Sequence, residues 1–157
     1  WFWVGPIGGP GASPTPASAG VLASVSRRAC PAPPPDTGLP VVDPDDIAEV
    51  AAAALREEGH AGHVYELTGP ALNTPRELAA AIGAALGEPV RFVEQTRAEA
   101  HAEMARFMPE PVVETTLDIL GEPTPEEQRI SPDVERVLGR APRSFADWAA
   151  RNAAAFR

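Results

Sequence analysis

From Leu39 onward, apolar residues switch between runs of period two and stripes of helical period, with proline and glycine marking the changes. Leu39-Pro40-Val41-Val42-Asp43 predicts a short strand. Asp43-Pro44-Asp45-Asp46 then starts a helix. Asp43 is its N-cap, Pro44 fills the first helical position, and two acids face the positive helix end. Ile47, Val50, Ala51, Ala54 and Leu55 fall at i, i+3, i+4, i+7 and i+8, which predicts one buried face, and Gly59 is the expected stop. The cycle repeats: His63 to Thr68 predicts a strand, and Thr74-Pro75-Arg76-Glu77 is a capping box opening a helix with an apolar face of Leu78, Ile82, Ala85 and Leu86. Gly87 ends it. Val90 to Glu94 predicts a third strand, and Thr96-Arg97-Ala98-Glu99 caps a helix running to about Met108. Further helices are predicted over Pro111–Leu120, from Ser131-Pro132 to Gly139, and from the Ser144 cap through Phe145, Trp148, Ala149, Asn152 and Phe156. The order is β-α-β-α-β followed by helices, an α/β pattern without the beginning of its sheet.

Upstream the grammar is different. Residues 1–35 carry eight of the prolines, five of the glycines and only Arg27 and Arg28 as charged groups. Proline removes amide donors and glycine raises the entropy lost on ordering, so neither helix nor strand is expected there. The predicted organisation is a disordered leader over residues 1–36 and a folded body over residues 37–157. GC-rich coding DNA read out of frame yields Pro, Gly, Ala, Ser and Arg, so a frame-shifted origin for the leader is expected, testable in the coding DNA.

Composition narrows the function classes. The formal charge is −9, which argues against nucleic acid and against anionic membrane surfaces. No apolar run reaches the roughly 18 residues of a spanning helix. A single cysteine, Cys30, excludes an internal disulfide framework and any cysteine-based metal cluster, and a cytoplasmic setting is expected. The 44% hydrophobic content is largely alanine, so the core is thin. A sheet begun without its neighbours exposes an edge, and self-association through that edge is expected.

Most tempting polar clusters have plain explanations. His60 and His63 flank a glycine turn without a cysteine or carboxylate trio to complete a metal shell. His101-Ala102-Glu103 echoes the H-x-E of zinc deaminases, but the matching P-C-x-x-C is absent. Asp43, Asp45 and Asp46 are accounted for by helix-start chemistry. No metal ligand is assigned.

Val41-Val42-Asp43-Pro44-Asp45-Asp46-Ile47-Ala48-Glu49-Val50-Ala51, then Val64-Tyr65-Glu66-Leu67-Thr68-Gly69-Pro70, resembles the later half of NmrA-like proteins, atypical short-chain dehydrogenase/reductase relatives that bind NAD(P). The resemblance continues through Thr74–Leu86 and Pro89–Val93. It closes on Gly139-Arg140-Ala141-Pro142-Arg143-Ser144-Phe145-Ala146-Asp147-Trp148, and so covers about residues 37–157. It implies the last strands of a Rossmann-like parallel sheet plus a helical substrate-side subdomain, without the first βα turn that holds the dinucleotide.

Gly5-Pro6-Ile7-Gly8-Gly9-Pro10-Gly11 has the family's G-x-x-G-x-x-G spacing, but Pro10, Pro14 and Pro16 prevent the helix that must follow. The gap before Val41 has room for about one βαβ unit rather than several. Tyr65 lacks the family's partner lysine, since position 69 is Gly and the chain has no lysine, so it is expected to be a strand residue packing its ring. Accordingly no catalytic and no cofactor-binding residue is assigned, and NAD(P) is expected for a complete family protein but not for this chain. His101, Met104, Phe107 and Met108 lie on one predicted helix, in the part of the family's fold that closes over a small-molecule substrate, and are the candidate substrate-lining set. The expected function is that of a C-terminal, substrate-side fragment of a reductase or redox-sensing regulator, inactive alone. The alternatives are a stand-alone non-enzymatic interaction module and a defective reading frame without selected function.

Overall fold

The structure is a computed structural model, and it describes residues 29–32 and 36–156. The expectations for the rest of the leader, including Gly5–Gly11, lie outside the described residues. In chain order the elements are β1 (Ala29–Ala32), α1 (Pro44–Arg56), α2 (Pro75–Leu86), β2 (Arg91–Glu94), α3 (Arg97–Met104), α4 (Glu110–Gly121), α5 (Asp133–Leu138) and α6 (Phe145–Asn152), followed by a 3₁₀ turn, Ala153–Phe156.

The helices start and stop where their caps require. Asp43 accepts from the Asp45 amide. Reciprocal capping boxes join Thr74 to Glu77, Thr96 to Glu99 and Ser144 to Asp147. The backbone amides of Thr74 and Thr96 hold the Glu77 and Glu99 carboxyls below the usual glutamate range, and Ser144 does the same for Asp147. Gly87 and Gly139 end α2 and α5 at φ 73° and 65°, the left-handed conformation that releases a chain from a helix. The helix predicted to run to Met108 stops at Met104, because Ala105 to Phe107 turn so that Pro109 can enter α4.

The sheet departs further from expectation. β2 forms, but it pairs in parallel with Ala29–Ala32, inside the leader expected to hold no strand. Register places Pro31 opposite Val93. Proline is tolerated in edge strands, and both strands of a two-stranded sheet are edges. The strands predicted at Leu39–Asp43 and His63–Thr68 do not form. The first makes one antiparallel bridge, between Leu39 and Asn73. The second spends its amides elsewhere: Glu66 N–H donates to Asp133 Oδ2 at 2.9 Å and Gly69 N–H to the Pro40 carbonyl at 3.1 Å. With no neighbouring strand among the described residues to form a ladder, the segment is pinned by a side chain and a loop instead. Gly69 is required at that junction, since a Cβ there would lie 2.1 Å from the Val41 carbonyl oxygen.

Three helix pairings make the core. α1 packs on α5, α2 on α6, and α3 on α4. Between α2 and α6 lie Ile82, Trp148 and Ala149, flanked by Leu86, Val90, Phe145 and Phe156. Phe145 and Phe156 lie at ring distances of 5.2 and 6.0 Å from Trp148, aromatic contacts that add to area burial. α1 is rotated from its predicted face. Asp46, Val50 and Ala53 are buried, whereas Leu55 is 87% exposed and Ala51 is exposed as well. A charged residue displaces the apolar stripe because its carboxylate is the better partner for what α1 meets.

That partner is a pair of arginines. The Asp46 carboxylate is fully buried. It accepts from Arg140 Nη2 at 2.7 Å, from the Arg143 amide at 2.7 Å and from Arg143 Nη1. Glu49, one turn on, accepts from Arg140 at 2.5 Å and from Arg143 at 2.6 Å, and Arg140 holds its carboxyl below the usual range. Arg151 pairs with Asp43 and, at 3.2 Å, with Asp45. Replacing Asp46 by Ala leaves the Arg143 amide without its acceptor and the two partly buried guanidinium groups with Glu49 alone. The unfolding free energy from urea denaturation should fall by about 3–5 kcal/mol, while Arg97→Ala, on an exposed pair, should cost under about 1 kcal/mol.

Candidate functional site

The candidate site is the hairpin of α3 and α4. Its inner face is apolar: Ala100, Val113 and Leu117 are buried together, with Met104 and Met108 packed against them. Leu117 and Val113 are among the largest fully buried side chains, and each such burial stabilises by about 1.5–3 kcal/mol. Of the four residues assigned to substrate lining, Met104 and Met108 therefore serve the hairpin's own core. Phe107, at 37% exposure, faces solvent at the turn, with Val112 exposed nearby in the chain at 48%. The set is thus split between an inner methionine pair and an outer aromatic.

His101 is half-buried and turns to a polar seam. Its Nε2 lies 2.9 Å from Glu110 Oε1 and 3.2 Å from Glu114 Oε1. Arg97 donates to the other Glu114 oxygen at 2.6 Å and to Asp118 at 2.8 Å. Those hydrogen bonds, Glu114 first, raise the Arg97 pKa above its usual value. Glu110 and Glu114 were not singled out from sequence. Their i, i+4 spacing on one helix was the available signal, but it acquires meaning only once His101 arrives from another helix.

The other sequence candidates separate. The Tyr65 ring packs, though not in a strand. Its hydroxyl lies 2.7 Å from His60 Nδ1 and its ring stacks on His63 at 6.1 Å, making a local cluster beside the Gly62 turn. Asp43 and Asp46 act in the clamp and helix start described above. A recess lined by Val41, Val42, Asp43, Pro44, Phe145 and Trp148 measures about 10 Å³, room for about one water.

A bound dinucleotide needs bare amides at a helix N-terminus to hold its pyrophosphate. Among the described helices, one first-turn amide in each of α1, α2, α3 and α6 donates to the side chain of Asp43, Thr74, Thr96 or Ser144. α4 carries Glu110 in its first turn, which repels an anion. Among the described residues, no helix is long and apolar enough to cross a membrane.

Comparison with known proteins gives a consistent likeness. No family model matches. The chain is 38% identical over 127 residues to (4-alkanoyl-5-oxo-2,5-dihydrofuran-3-yl)methyl phosphate reductase of Streptomyces griseus, covering 77% of this chain and 43% of that protein. It is 38% identical over 117 residues to NAD(P)H azoreductase of Xenophilus azovorans, covering 73% and 41%. Among solved structures, triphenylmethane reductase of Citrobacter in complex with NADP(H) matches at TM-score 0.65 and 25% identity, over 85% of this chain and 47% of that one. The NADPH-dependent quinone oxidoreductase of Escherichia coli shares the fold at TM-score 0.67. The chain spans less than half the length of these relatives.

The division of the hairpin set is measurable. Met104→Ala should lower the melting temperature by several degrees, as expected for loss of a partly buried methionine from a small core. Phe107→Ala should leave it within about a degree, since exposed changes stay within about 0.5 kcal/mol. Equal losses from both would mean that Phe107 is packed.

Proposed function

We propose that the chain, over about residues 37–157, corresponds to the C-terminal part of NmrA-like NAD(P)-binding proteins and is the substrate-side portion of an NAD(P)-dependent reductase or nicotinamide-sensing regulator. The observation that carries this reading is the 38% identity to two reductases, confined to less than half of each. The capped helix N-termini support the corollary that this chain alone binds no dinucleotide and is inactive. In a complete protein the nucleotide half would supply the hydride, and this half would present the acceptor to it. His101 and Phe107 would contact the acceptor, with Met104 and Met108 supporting them. A cytoplasmic setting fits both the cofactor class and the single cysteine.

The test is a chimera. Residues 37–157 replace the matching C-terminal part of the Xenophilus azoreductase, and the isolated chain is assayed in parallel. The chimera should fold, bind NADPH and reduce an azo dye or a quinone, and His101→Ala or Phe107→Ala should alter KM for the acceptor. Calorimetry of the isolated chain should give no saturable NADPH binding in the low micromolar range. A folded chimera that binds NADPH but reduces no acceptor would sink the substrate-side assignment. Tight binding by the isolated chain, abolished by replacing Gly8, would sink the corollary.

A second reading, a stand-alone interaction module that self-associates, is favoured by one observation. Ala51 and Leu55 are exposed one turn apart on α1, and Val64 is 94% exposed beyond it. Exposed apolar side chains that join into one patch mark contact sites for a partner. Sedimentation should then show dimers or larger species that Leu55→Glu shifts toward monomer. A wild-type chain that stays monomeric at high concentration removes this reading.

A further inference from the structure

We propose that His101, Glu110 and Glu114 form a binding site for a divalent transition-metal ion of the zinc class, fastening α3 to α4. His101 Nε2 and one oxygen from each carboxylate lie within 4.8 Å of one another. The two contacts of the imidazole nitrogen, 2.9 and 3.2 Å, fall slightly short of the separation that tetrahedral ligands take around an ion. With zinc–nitrogen and zinc–oxygen bonds of about 2.0–2.1 Å, that separation is about 3.4 Å. Opening these two contacts by a few tenths of an ångström reaches that spacing at the imidazole, and the exposed glutamate side chains, whose ligand oxygens lie within 4.8 Å of each other, can swing to meet the ion.

The donor set has the right chemistry as well as the right size. One imidazole nitrogen and two carboxylate oxygens suit zinc, cobalt or nickel, whereas calcium and magnesium prefer oxygen alone. Two carboxylates and a neutral imidazole balance the charge of a divalent ion. Glu114 divides its oxygens: Oε2 is held by Arg97 at 2.6 Å and Oε1 faces His101. A ligating carboxylate oriented by an outer hydrogen bond is the arrangement metal sites use to fix their first shell. The three ligands come from two helices whose buried face, Ala100 with Val113 and Leu117, sets their spacing. A tetrahedral ion would keep its fourth position for water, since Glu110 and Glu114 are exposed.

The test uses the full chain, reduced, with zinc titrated by calorimetry and cobalt by its visible absorption. One ion per chain is expected, with a four-coordinate cobalt spectrum and a raised melting temperature on zinc addition. Glu110→Gln and His101→Ala should each weaken zinc binding by at least about tenfold, with helix content by circular dichroism unchanged. His60→Ala with His63→Ala, and Cys30→Ser, should leave the affinity unchanged. No zinc binding by the wild-type chain would overturn the proposal. So would affinity that survives Glu110→Gln and His101→Ala, or that is lost instead with His60, His63 or Cys30.

Discussion

A carboxylate buried away from water is among the most expensive groups a small protein can carry, and this fold is arranged around one. Asp46 has no exposure, and its two oxygens are filled by Arg140, by Arg143 and by the Arg143 amide. The contact joins residues more than ninety positions apart and sets the rotation of α1. With Asp46 inward, Val50 and Ala53 follow it toward α5, and Leu55 turns outward. The same closing segment caps α6 at Ser144 and delivers Trp148 onto α2. One ionic junction therefore fixes the placement of α1 and the approach of the last helix.

Local chemistry in this chain was legible almost to the residue. Asp43-Pro44, Thr74-Pro75, Thr96 and Ser144 each begin a helix, and Gly87 and Gly139 each end one, because caps depend on neighbours within a turn. Strands were legible only where a partner existed. Val90–Glu94 found Ala29–Ala32, while Leu39–Asp43 and His63–Thr68 have extended character without a ladder. The error on α1 has the same root: periodicity ranks alanine and leucine above aspartate for burial, and cannot see two arginines arriving from the far end of the chain. Alanine content compounds this, since a face of alanines gains little from being buried.

The hairpin shows how the candidate site was half legible. One helical stripe grouped His101, Met104, Phe107 and Met108, but the chain turns after Met104, so the stripe does not survive as one face. Methionine pays for core filling here, as its flexible thioether suits the irregular gap between two short helices. His101 keeps different company, and its partners lie nine and thirteen residues away across the turn. A site assembled from two helices is invisible to any reading that treats each helix alone.

The position of the clamp along the chain has a consequence for how the protein is made. Arg140, Arg143 and Arg151 follow Asp43, Asp46 and Glu49 by about a hundred residues, so they leave the ribosome well after the acids they pair with. Until those arginines emerge, α1 cannot bury its acidic side, and Trp148 is not yet there to cover Ile82. The long separation also places this closure among the slow steps of folding, because loop entropy is lost before the contact repays it. A nascent chain that has not yet reached Arg140, or one cut before it, is thus left with an acidic helix that has nothing to close on.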